Sequence, residues 1–475
     1  MTSTQENILL ALCTAFFCAL FISPMDAAPL VMDTTVAALC LYSAWIAGRG
    51  GEARREAQAG RGDAAGGSLP DGAGWSTRVW AARIWEGKIL LLWVALFAWT
   101  VLSAALSKNQ PEGWSYVVLR LPLMAFPLSV GALRLREQLR DRILLSYALV
   151  VTAGCLACLV YAWLQYRHTG YTAYLYDDSL TELSSVQSVY VALMVEIALF
   201  AMGYLRTKKY SRWLLACMAF LLVFQFMLAS RIGLILLYTI ALGVALWYYG
   251  FQKRRWGRVI AIAACMGVIG LSCVFFFPKT INRFHELAYT GYQYQSNGVE
   301  SHYDMPVTAD QWNGANIRLA VWRCTWDVCR THLWTGVPVG DKREALVQRY
   351  KEVGFDFAVR SRRNTHDTYL DVLLTYGVPG LAVFLLGFVA GPLWKLGRGA
   401  ARRDKEGRDG TGRNILGLIV VILFTVSMIT ETYIDRSVGC VLLGFFYAFV
   451  LSDYPAYTNP RPSMYPQSTP GSRDA

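Results

Sequence analysis

Twelve apolar runs, each close to the length of a membrane crossing, restrict this chain more than any other feature. A helix needs about 20 mostly apolar residues to cross the hydrocarbon core. Such runs lie at 8–23, 28–47, 88–106, 115–133, 143–166, 184–205, 213–229, 232–250, 259–277, 367–394, 414–431 and 437–452. Hydrophobic residues make up 55% of the 475 and charged residues only 16%, against about a quarter charged in a soluble domain. The expected fold is therefore an all-α polytopic membrane protein with about 12 transmembrane helices. The tenth run is long enough to begin as a helix above the bilayer. The first, from Ile8 to Ile22, follows a stretch with no basic residue, so it reads as a span and not as a cleavable signal.

The formal net charge of +12 invites a nucleic-acid reading, but its placement argues against one. The connections 48–87, 134–142, 206–212, 251–258 and 395–413 hold 25 Lys or Arg, whereas 24–27, 107–114, 167–183, 230–231 and 432–436 hold 4. That asymmetry is the positive-inside pattern, and it puts both termini on the cytoplasmic side. The expected partners are membrane lipids and a lipid-borne substrate, with no nucleic acid. Residues 48–78 and 397–413, rich in Gly and charge, read as flexible linkers. The expected organisation is 1–277 with nine spans, a loop domain at 278–366, three spans within 367–453, and a disordered cytoplasmic tail at 454–475.

The loop at 278–366 is too long for a simple connector. Within it, Trp322, Trp326, Cys329 and Leu333 recur at helical spacing, which predicts an amphipathic helix over 316–334. Most of the 11 cysteines sit inside apolar runs, where they read as small buried hydrophobes. Cys155 and Cys158 form a C-x-x-C inside a span without a second pair, a poor metal site. Cys324 and Cys329 point to different faces of their helix, so no disulfide between them is expected.

Charged groups inside or beside the spans need a reason, since burying one costs at least about 2.5–3.5 kcal/mol. Arg231 stands in Ser230-Arg231-Ile232-Gly233 with no carboxylate one helical turn away. Arg318 likewise has only Gly314, Ala315, Val321 and Trp322 at three and four positions. Arg323 and Arg330, by contrast, can both reach Asp327. Arg120 lies about five residues, or ~7.5 Å, inside the fourth span. Its plainer alternative is a structural ion pair, for instance with Glu196. Arginines without local partners at one membrane face suit a diphosphate, which guanidinium grips bidentately. A proton acceptor is also needed. His366, in Asn364-Thr365-His366-Asp367-Thr368-Tyr369-Leu370, lies at the mouth of the tenth span, with Asp367 or Asp371 as candidates to orient it. Glu431 is a weaker candidate at the end of the eleventh span. No D-x-D, H-E-x-x-H, P-loop or G-x-S-x-G occurs, which leaves a mechanism built on His and Arg without metal or cofactor.

His366-Asp367-Thr368-Tyr369-Leu370 followed by Tyr376-Gly377-Val378-Pro379-Gly380-Leu381 resembles the H-x-x-x-L…G-x-x-G signature of the O-antigen ligase and polymerase superfamily. Arg318-x-x-x-Trp322 with Gly336-Val337-Pro338-Val339-Gly340 resembles its second block, and Ser230-Arg231-x-Gly233 its third. Asp367 departs from the Asn or Ser often found there. The resemblance implies a metal-independent, inverting ligase of the bacterial inner membrane, with its active site on the periplasmic face. Its donor would be O-antigen polysaccharide on undecaprenyl diphosphate and its acceptor lipid A–core. His366 would be the general base, Arg231 and Arg318 would bind the diphosphate, and Arg120 would assist. An O-antigen polymerase or a protein O-oligosaccharyltransferase would use the same donor. A non-enzymatic transporter of lipid-linked sugar is the alternative of a different class; it would gather its polar groups at the midplane.

Overall fold

A computed structural model describes residues 1–22, 28–49, 88–207, 212–296, 300, 311–401 and 410–452. The helices in chain order are α1 Ser3–Ile22, α2 Ala28–Arg49, α3 Lys88–Ala105, α4 Gln110–Arg120, α5 Pro122–Leu128, α6 Glu137–Thr169, α7 Ser188–Arg206, α8 Trp213–Met227 and α9 Arg231–Ala245. They continue with α10 Trp256–Phe276, α11 Pro278–His285, α12 Asn316–Cys329, α13 Lys342–Glu352, α14 Asp356–Ser361, α15 Thr368–Phe384, α16 Gly391–Ala401, α17 Gly410–Ser427 and α18 Ser437–Leu451. Among the described residues, eight segments are long and apolar enough to cross a membrane, and four shorter apolar helices accompany them. Together these occupy the twelve apolar runs, and the architecture is all-α and polytopic. The linker expected at 48–78 lies almost wholly, and the tail from Tyr454 wholly, outside the described residues. The ends of 397–413 are helical instead, extending the tenth and eleventh spans.

α7 is buried around most of its circumference, from Tyr190 to Leu205. An all-round apolar helix belongs at the centre of a bundle, and α6, α8 and α17 pack around it. The fourth span is two helices. Pro122 cannot donate a backbone hydrogen bond and crowds the preceding turn, so the helix breaks at Leu121.

The tenth span also breaks, at Gly377, whose φ of 65° and ψ of −169° suit glycine alone. The break releases the Leu374 carbonyl and the Val378 N–H from the helix ladder. The segment after α12 takes both: Val337 N donates to Leu374 O at 2.7 Å, and Val378 N donates to Leu333 O at 2.8 Å. A β-carbon at Gly377 would lie 2.6 Å from the Trp334 carbonyl carbon, and one at Gly336 2.4 Å from that of Thr375. The two glycine motifs are thus one backbone joint between the loop domain and the tenth span.

The loop domain has its own core. Ile317, Val321, Cys324 and Val328 of α12 meet Tyr350, Phe355 and Trp312, and the cluster continues into Leu373 and Leu374 of α15. This corrects the expected phase and length of α12. The helix ends at Cys329, not at 334, and Trp326 is 44% exposed while the Ile317–Val328 stripe is buried. Asp327 pairs with Arg330 at 3.3 Å and with Arg349 at 2.7 Å.

Candidate active site

Three chain breaks meet where α9, α12 and α15 begin. Arg231 is the first residue of α9, whose N-cap Ser230 accepts from Gly233 N through its side chain. That capping bond explains the serine of the S-R-x-G motif. Arg318 is on the first turn of α12. His366 stands just before α15, with a left-handed φ of 47°.

Asp367 is the N-cap of α15 and accepts from Leu370 N at 2.8 Å. Asp, Asn and Ser all serve in this position, so the departure from the family pattern keeps the cap. Burial raises the Asp367 carboxyl to about 6, against the opposing pull of the Leu370 and Tyr369 N–H groups.

Arg231 and Arg318 converge over Gly314. A β-carbon there would stand 2.8 Å from Arg231 Nη2 and 3.2 Å from Arg318 Nη1. Only a residue without one lets the two guanidiniums come so close. Arg231 is not unpartnered, as its helix neighbours had suggested. Its Nη1 donates to Arg283 O at 2.8 Å and to Glu286 Oε2 at 3.2 Å. Arg283 in turn pairs with Asp177 and, at 3.7 Å, with Glu286. Arg318 donates to two backbone carbonyls, Thr430 O at 3.1 Å and Gly314 O at 2.6 Å. It makes no ion pair among the described residues. Burial lowers its guanidinium, with Glu431 opposing and Arg283 and Arg363 adding to the effect; guanidinium nonetheless stays charged.

His366 joins this cluster through Glu431, not through Asp367 or Asp371. Its Nδ1 lies 3.5 Å from Glu431 Oε2, and its side chain is 17% exposed. Burial opposes ionisation of Glu431, but the His366 contact, the charges on His366 and Arg318, and the Thr432 N–H together hold its carboxyl below the ordinary value. The segment after α17 that carries Glu431 also fixes α15: Thr368 N donates to Met428 O at 2.8 Å and Thr368 Oγ1 to Glu431 O at 2.7 Å.

Arg120 is placed elsewhere. It is 2% exposed and pairs with Asp435 at 2.8 Å and Asp371 at 3.3 Å. It also donates to Ile434 O at 3.1 Å and to the Tyr376 hydroxyl. Lys342 reaches the same acids, at 2.7 Å from Asp371 and 2.6 Å from Asp435. Burial alone would lower the Lys342 ammonium, but the two carboxylates outweigh it and raise it. The expected diphosphate helper is therefore a closed, charge-balanced tie between α4, α13, α15 and the segment before α18. Its partner is not Glu196 either, which accepts from Gln225 Nε2 at 2.7 Å.

The residues the sequence reading missed are Glu286, Arg283 and Asp177. Nothing local announces them, because each becomes relevant only when α11 folds back on α9.

The cluster combines a partly exposed imidazole, a carboxylate at its back and two adjacent guanidiniums. Such a set can accept a proton and neutralise a polyanion side by side. The family model described as O-Antigen ligase matches residues 216–385, from within α8 to just past α15. That span includes Arg231, Arg318 and His366 and leaves out Arg120 and Glu431. No curated protein matches the chain.

Proposed function

The chain belongs to the O-antigen ligase family, and from that premise we propose that it is a membrane glycosyltransferase. It transfers O-antigen polysaccharide from undecaprenyl diphosphate to lipid A–core at the periplasmic face of the bacterial inner membrane. His366 is the general base. Its Nδ1 faces Glu431, which leaves Nε2 for the acceptor hydroxyl. As Nε2 takes the proton, the acceptor oxygen attacks the anomeric carbon from the face opposite the diphosphate. The bond from that carbon to the diphosphate oxygen breaks, and its electron pair departs with the diphosphate. Displacement from the opposite face inverts the anomeric centre. Arg231 and Arg318 hold the diphosphate and stabilise the charge it gains on leaving, which requires no metal.

The observation that supports this reading best is the meeting of Arg231 and Arg318 over Gly314 beside the His366–Glu431 pair. Arg120 has no part in the transfer; it fixes α15.

The test is transfer by the purified protein in detergent with lipid-linked donor and lipid A–core, in the presence of EDTA. The expected result is a ligated product from wild-type protein and none from His366→Ala. Product from His366→Ala, or a strict requirement for added metal, overturns the mechanism. An O-antigen polymerase or a protein-glycosylating relative shares the donor, so the acceptor is settled in cells. Deletion of the gene is expected to leave polymer on the lipid carrier with no capped lipopolysaccharide; a single transferred repeat unit would mark a polymerase instead.

A further inference from the structure

We infer that Glu431 is a positioning residue for His366, fixing which imidazole nitrogen faces the acceptor and holding the charge the ring takes up. The inference rests on His366 being the base.

The environment of its two oxygens carries the argument. Oε2 faces His366 Nδ1 at 3.5 Å, at the long end of hydrogen bonding. Oε1 is buried and has no hydrogen-bond partner among the described residues. The neighbouring structural acids are different: Asp371 and Asp435 have both oxygens taken up by Lys342 and Arg120. An orphaned buried oxygen costs about 1–3 kcal/mol, and Glu431 bears that cost where Asp371 and Asp435 do not. An under-satisfied carboxylate beside a strained left-handed histidine fits a site held ready for a charge that is not yet there. With Nδ1–H donating to Glu431, Nε2 keeps its lone pair. When Nε2 accepts the hydroxyl proton, the imidazolium and the carboxylate become a true ion pair and the contact tightens.

The groups facing Glu431 come from several elements. They are His366 before α15, Arg318 of α12, Tyr190 of α7, and Tyr433 on its own segment. Arg283, Arg363 and Glu286 stand behind Arg318. Arg318 is a competing cation, and it donates to carbonyls. Removing Glu431 therefore takes away the carboxylate that both His366 and Arg318 face.

The test uses the full-length protein with a polyprenyl-diphosphate-linked oligosaccharide and lipid A–core. Glu431→Gln is expected to lower kcat about 10- to 100-fold, the scale of losing a carboxylate behind a functional histidine. Donor KM is expected to stay within about twofold of wild type, since Arg318 keeps its bonds to the Thr430 and Gly314 carbonyls and Arg231 its bond to Glu286. Losing the anion disfavours the protonated ring, so the acid limb of the pH–rate profile moves down by about half a unit to one unit. Glu431→Asp is expected to recover part of both effects. A second readout needs no turnover. With His168, His285, His302 and His332 replaced, the pH midpoint for His366 modification by diethyl pyrocarbonate is expected to fall by a similar amount in Glu431→Gln. An unmoved midpoint, or a loss confined to donor KM, overturns the inference even if activity falls. If His366→Ala still transfers sugar, the base assignment falls and this inference with it. If that variant is dead while the Glu431→Gln midpoint stays put, only the inference falls.

Discussion

At His366 the backbone is left-handed, with φ 47°, a conformation that costs a residue with a β-carbon about 1–3 kcal/mol. The bonds of Thr365 and Thr368 to the segment after α17 hold it there. His366→Ala should leave the protein inserted and folded while cutting kcat by about 10²- to 10⁴-fold, the range for a lost general base; single-turnover transfer checks this. Arg231→Lys keeps the charge and loses the fork that fits a diphosphate. It should lower kcat/KM by about a hundredfold, the scale of removing one preorganised donor from a developing anion. Near-normal kcat/KM would reduce Arg231 to an anchor for Glu286. Neither Glu286 nor Glu431 could be assigned to its arginine or histidine from neighbours one turn away. Both partners are brought in from other helices, and helix spacing reports only contacts within one helix.

The start and the break of α15 set the position of His366. Asp367 caps the helix, and its folded value of about 6 lies above the ordinary 3.8. An acid raised on folding stabilises most below its unfolded value, and that contribution is lost as pH climbs through about 4 to 6. Above pH 6 the buried charge is a cost that asparagine would not carry while still capping. Asp367→Asn should therefore raise the thermal midpoint in detergent at pH 8 by about 1–3 °C and not at pH 4. Gly377→Ala has two penalties at once, the glycine-only backbone and the 2.6 Å approach to Trp334. It should lower thermal stability by more than about 1 kcal/mol, together with loss of transfer, because the joint with Gly336 cannot close. Both glycine motifs were readable in the sequence; that they form one joint was not.

Across the molecule, the Arg120–Asp371–Lys342–Asp435 cluster ties the loop domain to two spans. Breaking a buried pair from one side leaves an uncompensated charge, at about 3–5 kcal/mol. Lys342→Met should destabilise on that scale in thermal unfolding, and Lys342→Met with Asp435→Asn should recover part of it. If the single variant unfolds like wild type, the cluster does not hold the domains. Tyr116, 4.4 Å from Lys342 Nζ to its ring centroid and 5.4 Å from Arg120, adds an aromatic face to the tie.

What the amino-acid order determined alone was the set of membrane helices, a helix in the loop before the tenth span, and the motifs that carry Ser230, Asp367 and Gly377. These follow local rules: hydrocarbon demands an apolar stretch of fixed length, and a helix end demands its own capping group. Tertiary structure alone decided which acid stands behind His366, that Arg231 shares Glu286, and that Arg120 is locked away from the cluster. Charges find partners by distance in space, and here those partners are supplied by helices far apart along the chain. The buried face of α12 belongs to the same class, since its aromatic residues mark a stripe that only the packing against α13, α14 and α15 could place on the inside or the outside.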